Sequence, residues 1–359
     1  QLAAAAAEQP ARPQGGANSA TVQRRLRRQR AAHFAREAAA SAGGSPQHRA
    51  SPAAPAAPAK PTDSEATAFG AECDICAALM RDLEVGDDKQ TAAAERLKGS
   101  VVRWSFHPSG CRLVQAALDL CKVDVAAALV AELRGSVRRA IQSKHANFVL
   151  AKAVEVLPTE QSAFIAEELS SFASTAVRHQ YGCRIFCRLI EHAGAHPSTA
   201  RLIEEEIASR ASELARHEFA HYVVVCVLEH GLPEQRALAI GALLDHHLAA
   251  LAQNRYGRFV VEALFTHGRS EDRSAALELL RRCADPVDLA RHANGHVAIG
   301  AALRSSMDGP GVASELGALA SALTAAAPLL SESKFGQRTL HAAQRMRATS
   351  VPRFVAVAA

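Results

Sequence analysis

One small residue recurs down this chain in a fixed register. It stands at Gly110, Ala146, Gly182, Ala220, Gly257, Gly295 and Gly336, with successive gaps of 36, 36, 38, 37, 38 and 41 residues. Three residues before each anchor comes a polar or turn-forming residue: His107, Ser143, His179, His217, Asn254, His292 and Ser333. Three and four residues after it come pairs such as Leu113-Val114, Val149-Leu150, Ile185-Phe186, Val223-Val224, Val260-Val261, Ala298-Ile299 and Thr339-Leu340. An apolar residue returns eight places on, at Leu118, Val154, Ile190, Leu228, Phe265 and Leu303. Places three, four and eight share one face of a helix, and that face must be covered. A unit this short cannot bury its own stripe, so neighbouring units must stack into a solenoid.

Each unit is expected to be a long helix, a tight turn and a second helix that opens at the small residue. The apolar stride of four in Val125, Leu129, Leu133, Val137 and Ile141 predicts helix, as does the stripe Phe164, Ile165, Leu169, Phe172 and Ala176. Pro158, Pro197, Pro233 and Pro310 punctuate the helices about once per unit. A Gly or Ala anchor suits a point where two backbones approach closely. Sustained alternation of period two is absent, so the body is expected to be all-helical.

Composition divides the chain in two. Residues 1–63 are rich in Ala, Pro, Gly, Ser and Gln and hold nine Lys/Arg against three acids, so they carry more than the whole net charge of +5. This stretch is expected to be a disordered basic tail. It contains the run Arg24-Arg25-Leu26-Arg27-Arg28-Gln29-Arg30, which reads equally as a nuclear-localisation element, a phosphate-binding arm or a plain solvated segment. A Pro/Ala linker follows from Ser51 to Pro61. Residues 64–359 are near neutral, so bulk basicity gives no argument for nucleic-acid binding. The eight cysteines are scattered through helical stretches and suit a reducing compartment. No apolar run is long enough to cross a bilayer.

Armadillo, HEAT and tetratricopeptide arrays share a similar period, but the wording of the second helix separates them. Pro108-Ser109-Gly110-Cys111-Arg112-Leu113-Val114-Gln115, Gln180-Tyr181-Gly182-Cys183-Arg184-Ile185-Phe186, His217 to Val224 and Arg255 to Glu262 resemble repeats of the Pumilio (PUF) family. The resemblance runs over roughly residues 64–350. It implies a right-handed superhelical solenoid of about eight repeats, armadillo-like in build. Seven are clear, between about 91 and 350. Residues 64–90 would be a degenerate first repeat or cap, and 345–359 a closing cap.

The resemblance also implies a site. In this family, places one, two and five of the second helix meet one RNA base each. Residues four apart share a helix face and can pinch a base edge, while the residue between can stack on the base plane. Carried over, the first clear repeat offers Cys111, Arg112 and Gln115, similar to the family's adenine-reading set. The second offers Asn147 and Phe148, with Ala151 at the fifth place. The third has Cys183, Arg184 and Cys187, and the fourth His221, Tyr222 and Val225. The fifth has Arg258, Phe259 and Glu262, with Glu resembling a guanine reader. The sixth, His296, Val297 and Gly300, lacks both elements. The seventh has Gln337, Arg338 and His341. Stackers therefore persist in six repeats (Arg112, Phe148, Arg184, Tyr222, Phe259, Arg338), while polar edge readers remain in three, which implies RNA binding with relaxed base preference. Lys152 and Arg188 are further candidates, as phosphate contacts or as solvated charges.

Three patterns read better as coincidence. His217-Glu218-Phe219-Ala220-His221 spells HExxH, but the register places His217 before the turn and His221 inside the next helix, so no zinc site is expected. Cys73-Asp74-Ile75-Cys76 lacks a second ligand pair, and Cys183 and Cys187 fall on base-facing places. The expected protein has no catalytic activity, no cofactor and no metal. It is a monomer that binds single-stranded RNA, with messenger 3′ untranslated regions as target, and protein partners on its convex face. It would act in the cytoplasm in control of mRNA stability or translation. The alternatives are a nuclear or nucleolar binder of structured or pre-ribosomal RNA, and a protein-binding scaffold.

Overall fold

The computed structural model describes residues 63–245, 247–305 and 310–350. The tail, its basic run and linker, and the closing segment after residue 350 lie outside these residues. Among the described residues every regular element is a helix.

The repeating unit has one more part than the sequence pattern suggested. A helix of four to six residues stands between the long outer helix and the turn. In the first clear repeat this short helix is Val101–Phe106, followed by the inner helix Gly110–Leu120 and the outer helix Val123–Ala131. The inner helices of the next six repeats are Ala146–Val156, Gly182–Ala193, Ala220–His230, Gly257–His267, Gly295–Arg304 and Lys334–Ser350. The last of these begins two residues ahead of its anchor, Gly336.

The stride-of-four stripes therefore cross a break. Val125 and Leu129 lie in the outer helix, whereas Val137 belongs to the short helix Val137–Ala140. Gly135 turns the chain between them at φ +75°, and Gly99 does the same one repeat earlier; the left-handed region explains glycine at both. A carboxylate secures each turn. Glu132 accepts the Gly99 and Val101 N–H groups at 2.7 and 3.0 Å, and Glu168 accepts those of Gly135 and Val137 at 2.7 and 3.2 Å. The stripe itself is real: Leu129, Leu133 and Val137 are fully buried.

The turn residue three before each anchor caps the inner helix. His107 Nδ1 accepts the Ser109 and Gly110 N–H groups, Ser143 Oγ those of His145 and Ala146, and His217 Nδ1 those of Phe219 and Ala220, all at 3.1–3.3 Å. Asn254 Oδ1 and His292 Nδ1 do likewise at 2.9–3.2 Å. His179 takes the Tyr181 N–H and Ser333 that of Gly336. Helix N-termini leave such donors without intrahelical partners.

The small anchor follows from the short helix. A Cβ on Gly110 would stand 2.6 Å from the Trp104 carbonyl oxygen, and one on Gly295 2.6 Å from that of Leu289. At Gly182, Gly257 and Gly336 it would run into Ala176, Leu251 and Leu330, each again six residues back. At Ala146 and Ala220 a methyl is accommodated at the same place, fully enclosed.

Inner helices pack each on the next from Gly110–Leu120 to Lys334–Ser350, forming one continuous layer. The core is a single apolar body running from Cys76 to Met346. The helix Asp63–Val85 packs on Gly110–Leu120 as a further inner helix would, with Asp87–Leu97 behind it. Cys73 Sγ lies 3.5 Å from Ser109 Oγ, one repeat along. Pro197 and Pro233 each begin an outer helix, where the missing N–H costs nothing.

Candidate nucleic-acid interface

The register brings the first, second and fifth places of seven inner helices into three adjacent rows on one layer. The rows differ sharply in how open they are.

The first row is mostly enclosed. Cys111, Asn147, Cys183 and His221 are each at most 4% exposed. Their polar atoms turn back to the preceding turn. Asn147 Nδ2 donates to the Ser143 carbonyl at 2.7 Å, and His221 Nδ1 lies 2.9 Å from that of His217. Cys111 and Cys183 donate to the Pro108 and Gln180 carbonyls at 3.3 Å. These four groups, expected to pinch a base edge, are thus turned toward the chain: a helix N-terminus beside a polar cap draws short side chains inward. Asn147 Oδ1 is enclosed without a hydrogen-bond partner. Burial raises the Cys111 thiol above its ordinary range, while the neighbouring Arg112 charge works against that shift. Arg258 is the first-place residue that reaches sideways, donating to Asn294 Oδ1 of the next repeat at 3.0 Å.

The second row forms a ladder of flat groups. The Arg184 guanidinium lies 5.6 Å from the centre of Phe148 and 5.3 Å from that of Tyr181. The His221 ring is 3.9 Å from Tyr222, 5.3 Å from Tyr256 and 5.9 Å from Phe259, the last two nearly parallel to it. Arg258 covers Phe259 at 4.5 Å. His296 stacks on Phe335 at 4.8 Å. Phe148, Tyr222 and Phe259 stay half-buried, and Arg112 and Arg338 are exposed. Arg184 is only 7% exposed, so it packs against these rings rather than offering an open platform. The ring residue just before the anchor (Tyr181, Tyr256, Phe335) belongs to this surface. It was visible in the sequence as part of the repeat signature but not as a site residue.

The fifth row is the least uniform. Gln115 is half-buried and donates to the Cys111 carbonyl at 2.8 Å. His341 and its repeat neighbour Gln337 are exposed. Glu262, expected to read guanine, is fully buried and paired with Arg304 at 3.3 Å. Buried charge demands a partner, and the next repeat supplies one. Lys152 and Arg188 are likewise engaged, Lys152 with Asp119 at 3.2 Å and Glu155 at 3.7 Å, Arg188 with Glu191 at 2.8 Å.

The HExxH pattern is divided as its register implied. His217 Nδ1 caps the turn, and burial, aided by the Arg178 charge, holds its pKa below the ordinary histidine value. His221 lies on the far side of that turn. Cys76 is buried and its thiol is pushed up to about 11, chiefly by that burial.

A continuous layer of capped helices bearing a ladder of rings and guanidiniums defines a helical-repeat binding protein. The family model for the Pumilio-family RNA binding repeat matches residues 100–134, 142–170, 178–205, 210–244 and 247–279. The chain belongs to that family. Its fold is shared by PUF-8, solved in complex with PBE-RNA (TM-score 0.65, 19% identity, 80% of this chain and 87% of that one). It is also shared by the Puf3 RNA binding domain bound to a Cox17 RNA 3′ UTR recognition sequence (0.65, 20%, 80% and 85%). The RNA-binding domain of yeast Puf5p, bound to SMX2 RNA, is similar at 0.59 and 16%, over 78% and 83%. The family model finds five of the repeats; the sixth and seventh follow from the register and the continuing stack of inner helices.

Proposed function

We propose that the inner layer holds a single strand of RNA, about one nucleotide per repeat, mainly by stacking, and that the protein acts through it in post-transcriptional control of messenger RNA. The observation that carries this is the two stacked clusters on the inner layer, Arg184 with Phe148 and Tyr181, and His221 with Tyr222, Tyr256 and Phe259. Every base has a flat face, and base–aromatic stacking contributes about 1–3 kcal/mol per base whatever the base. The solved relatives are PUF domains bound to RNA, Puf3 to a 3′ UTR sequence. Messenger 3′ untranslated regions are therefore the proposed target, in the cytoplasm. Eight free thiols suit that reducing setting. The protein works as a binder without chemistry of its own.

Enclosure of Cys111, Asn147, Cys183 and His221 favours a second reading. With few edge readers in reach, the array would take structured or pre-ribosomal RNA in the nucleolus without a short consensus. Titration of the full chain against a UGUA-containing strand, a scrambled strand and a duplex RNA separates the two. Tighter binding to the first supports messenger control, and equal binding supports the second. No binding at low salt overturns both and leaves a protein-binding scaffold.

A further inference from the structure

The sixth repeat is the one in which the family pattern fails altogether, since Val297 and Gly300 stand at its second and fifth places. The structure fills the gap from one turn further on. Side chains on a helix lean toward its N-terminus, so a long residue at the ninth place covers the surface at the fifth. Arg304 does this. A Cβ on Gly300 would stand 2.9 Å from Arg304 Nη1, so the bare backbone there is what lets the guanidinium lie across the fifth place. Its Nη2 donates to Glu262 Oε1 at 3.3 Å, and Glu262 is the fifth-place residue of the preceding repeat. One guanidinium thus spans two edge-reading places, and about a third of the Arg304 side chain, 34%, remains open.

We propose that Arg304 is the edge-reading residue of the sixth repeat, and that its pairing with Glu262 withdraws that carboxylate from reading a base at the fifth. The proposal rests on the inner layer being the RNA surface. Its chemistry is specific. A guanidinium only donates hydrogen bonds and presents them as a fork, which matches the paired O6 and N7 acceptors of guanine. A carboxylate only accepts, so a freed Glu262 would take the donors on guanine's opposite edge. The pair therefore sets at which of two neighbouring nucleotides guanine is preferred. Glycine at 300 belongs to the device, because any side chain there would displace the guanidinium.

The test is selection of RNA from a random pool by the full chain, with base preference read at each position. Single-base variants of the winning strand are then compared by fluorescence anisotropy. Wild type is expected to show a guanine preference that Arg304→Ala reduces by roughly 5- to 150-fold, the discrimination given by one bidentate contact. In the same variant a guanine preference is expected at the adjoining nucleotide. Glu262→Gln, which keeps Arg304, should hold the original guanine, and Gly300→Ala should weaken it. These two variants carry the test if Arg304→Ala, which takes this cation from the buried Glu262, does not fold. RNA binding in which all three variants keep the wild-type preference at every position overturns the role of Arg304 and leaves the RNA reading intact. Failure of the wild-type chain to select any RNA overturns the RNA reading, and the proposal with it.

Discussion

The Arg184 guanidinium, on the third repeat, lies 5.6 Å from the centre of the Phe148 ring on the second and 5.3 Å from that of Tyr181. A buried cation against a ring of the preceding repeat binds neighbouring repeats together as well as shaping the surface. Each such contact contributes about 0.5–2 kcal/mol when desolvated. Arg184→Ala is expected to lower stability by about 1–3 kcal/mol, read by urea denaturation, through loss of packing and of these contacts. Arg184→Lys should recover part of this, because it keeps the charge and loses the plane.

Tyr222 and Gln115 should behave differently on RNA. Tyr222 offers a half-buried ring to any base, so Tyr222→Ala is expected to weaken all single strands alike, by about 1–3 kcal/mol. Gln115 sits at an edge-reading place with Nε2 held by the Cys111 carbonyl. Gln115→Ala should chiefly reduce discrimination at one nucleotide. Anisotropy titrations with strands differing at single positions distinguish the two patterns. Wild-type behaviour from both variants would remove these residues from the site.

Four of the seven caps are histidines, and each uses Nδ1 as an acceptor, which requires that nitrogen to be unprotonated. At His217, burial first and the Arg178 charge second hold the pKa below its ordinary value. The folded state therefore binds fewer protons than the unfolded chain. The stabilisation is present above the unfolded value of about 6.5 and is lost as pH falls from there through the lower folded value. Denaturation at pH 7.5 and 5.5 should show the loss. His217→Asn, which copies the cap Asn254 provides in the next repeat, should show less of it. His217→Ala should cost about 1 kcal/mol at pH 7.5.

Gly182 faces the Ala176 carbonyl so closely that a Cβ has no room without a shift of backbone. Gly182→Val is expected to destabilise by about 1–3 kcal/mol or to abolish folding, as overpacking does. Ala146→Gly, at the same place one repeat earlier, should cost no more than about 1 kcal/mol, the ordinary helix penalty. Thermal melts of the two variants suffice. Equal melting temperatures would mean that the anchor's size is not set by the short helix.

The solenoid was legible because its causes are local and repeated. A small anchor, a polar residue three before it and apolar residues three, four and eight after it each answer to one physical need, and the needs recur together. The short helix was not legible. Four to six residues make too brief a run to show a period, and Leu133 and Val137 continue the stripe of the helix before them across the turn at Gly135. The second row of the candidate site was equally plain, since Phe148, Tyr222 and Phe259 declare themselves by type.

Amino-acid order alone settled the architecture of this protein and the row in which each inner-helix residue falls, because both depend on spacing along one chain. Tertiary structure decided which of those residues are open. Cys183 and His221 are drawn inward by the turn beneath them, and Glu262 is claimed by Arg304 from the next repeat. The ion pair joins residues 42 places apart, and its outcome depends on a distance that no single repeat contains.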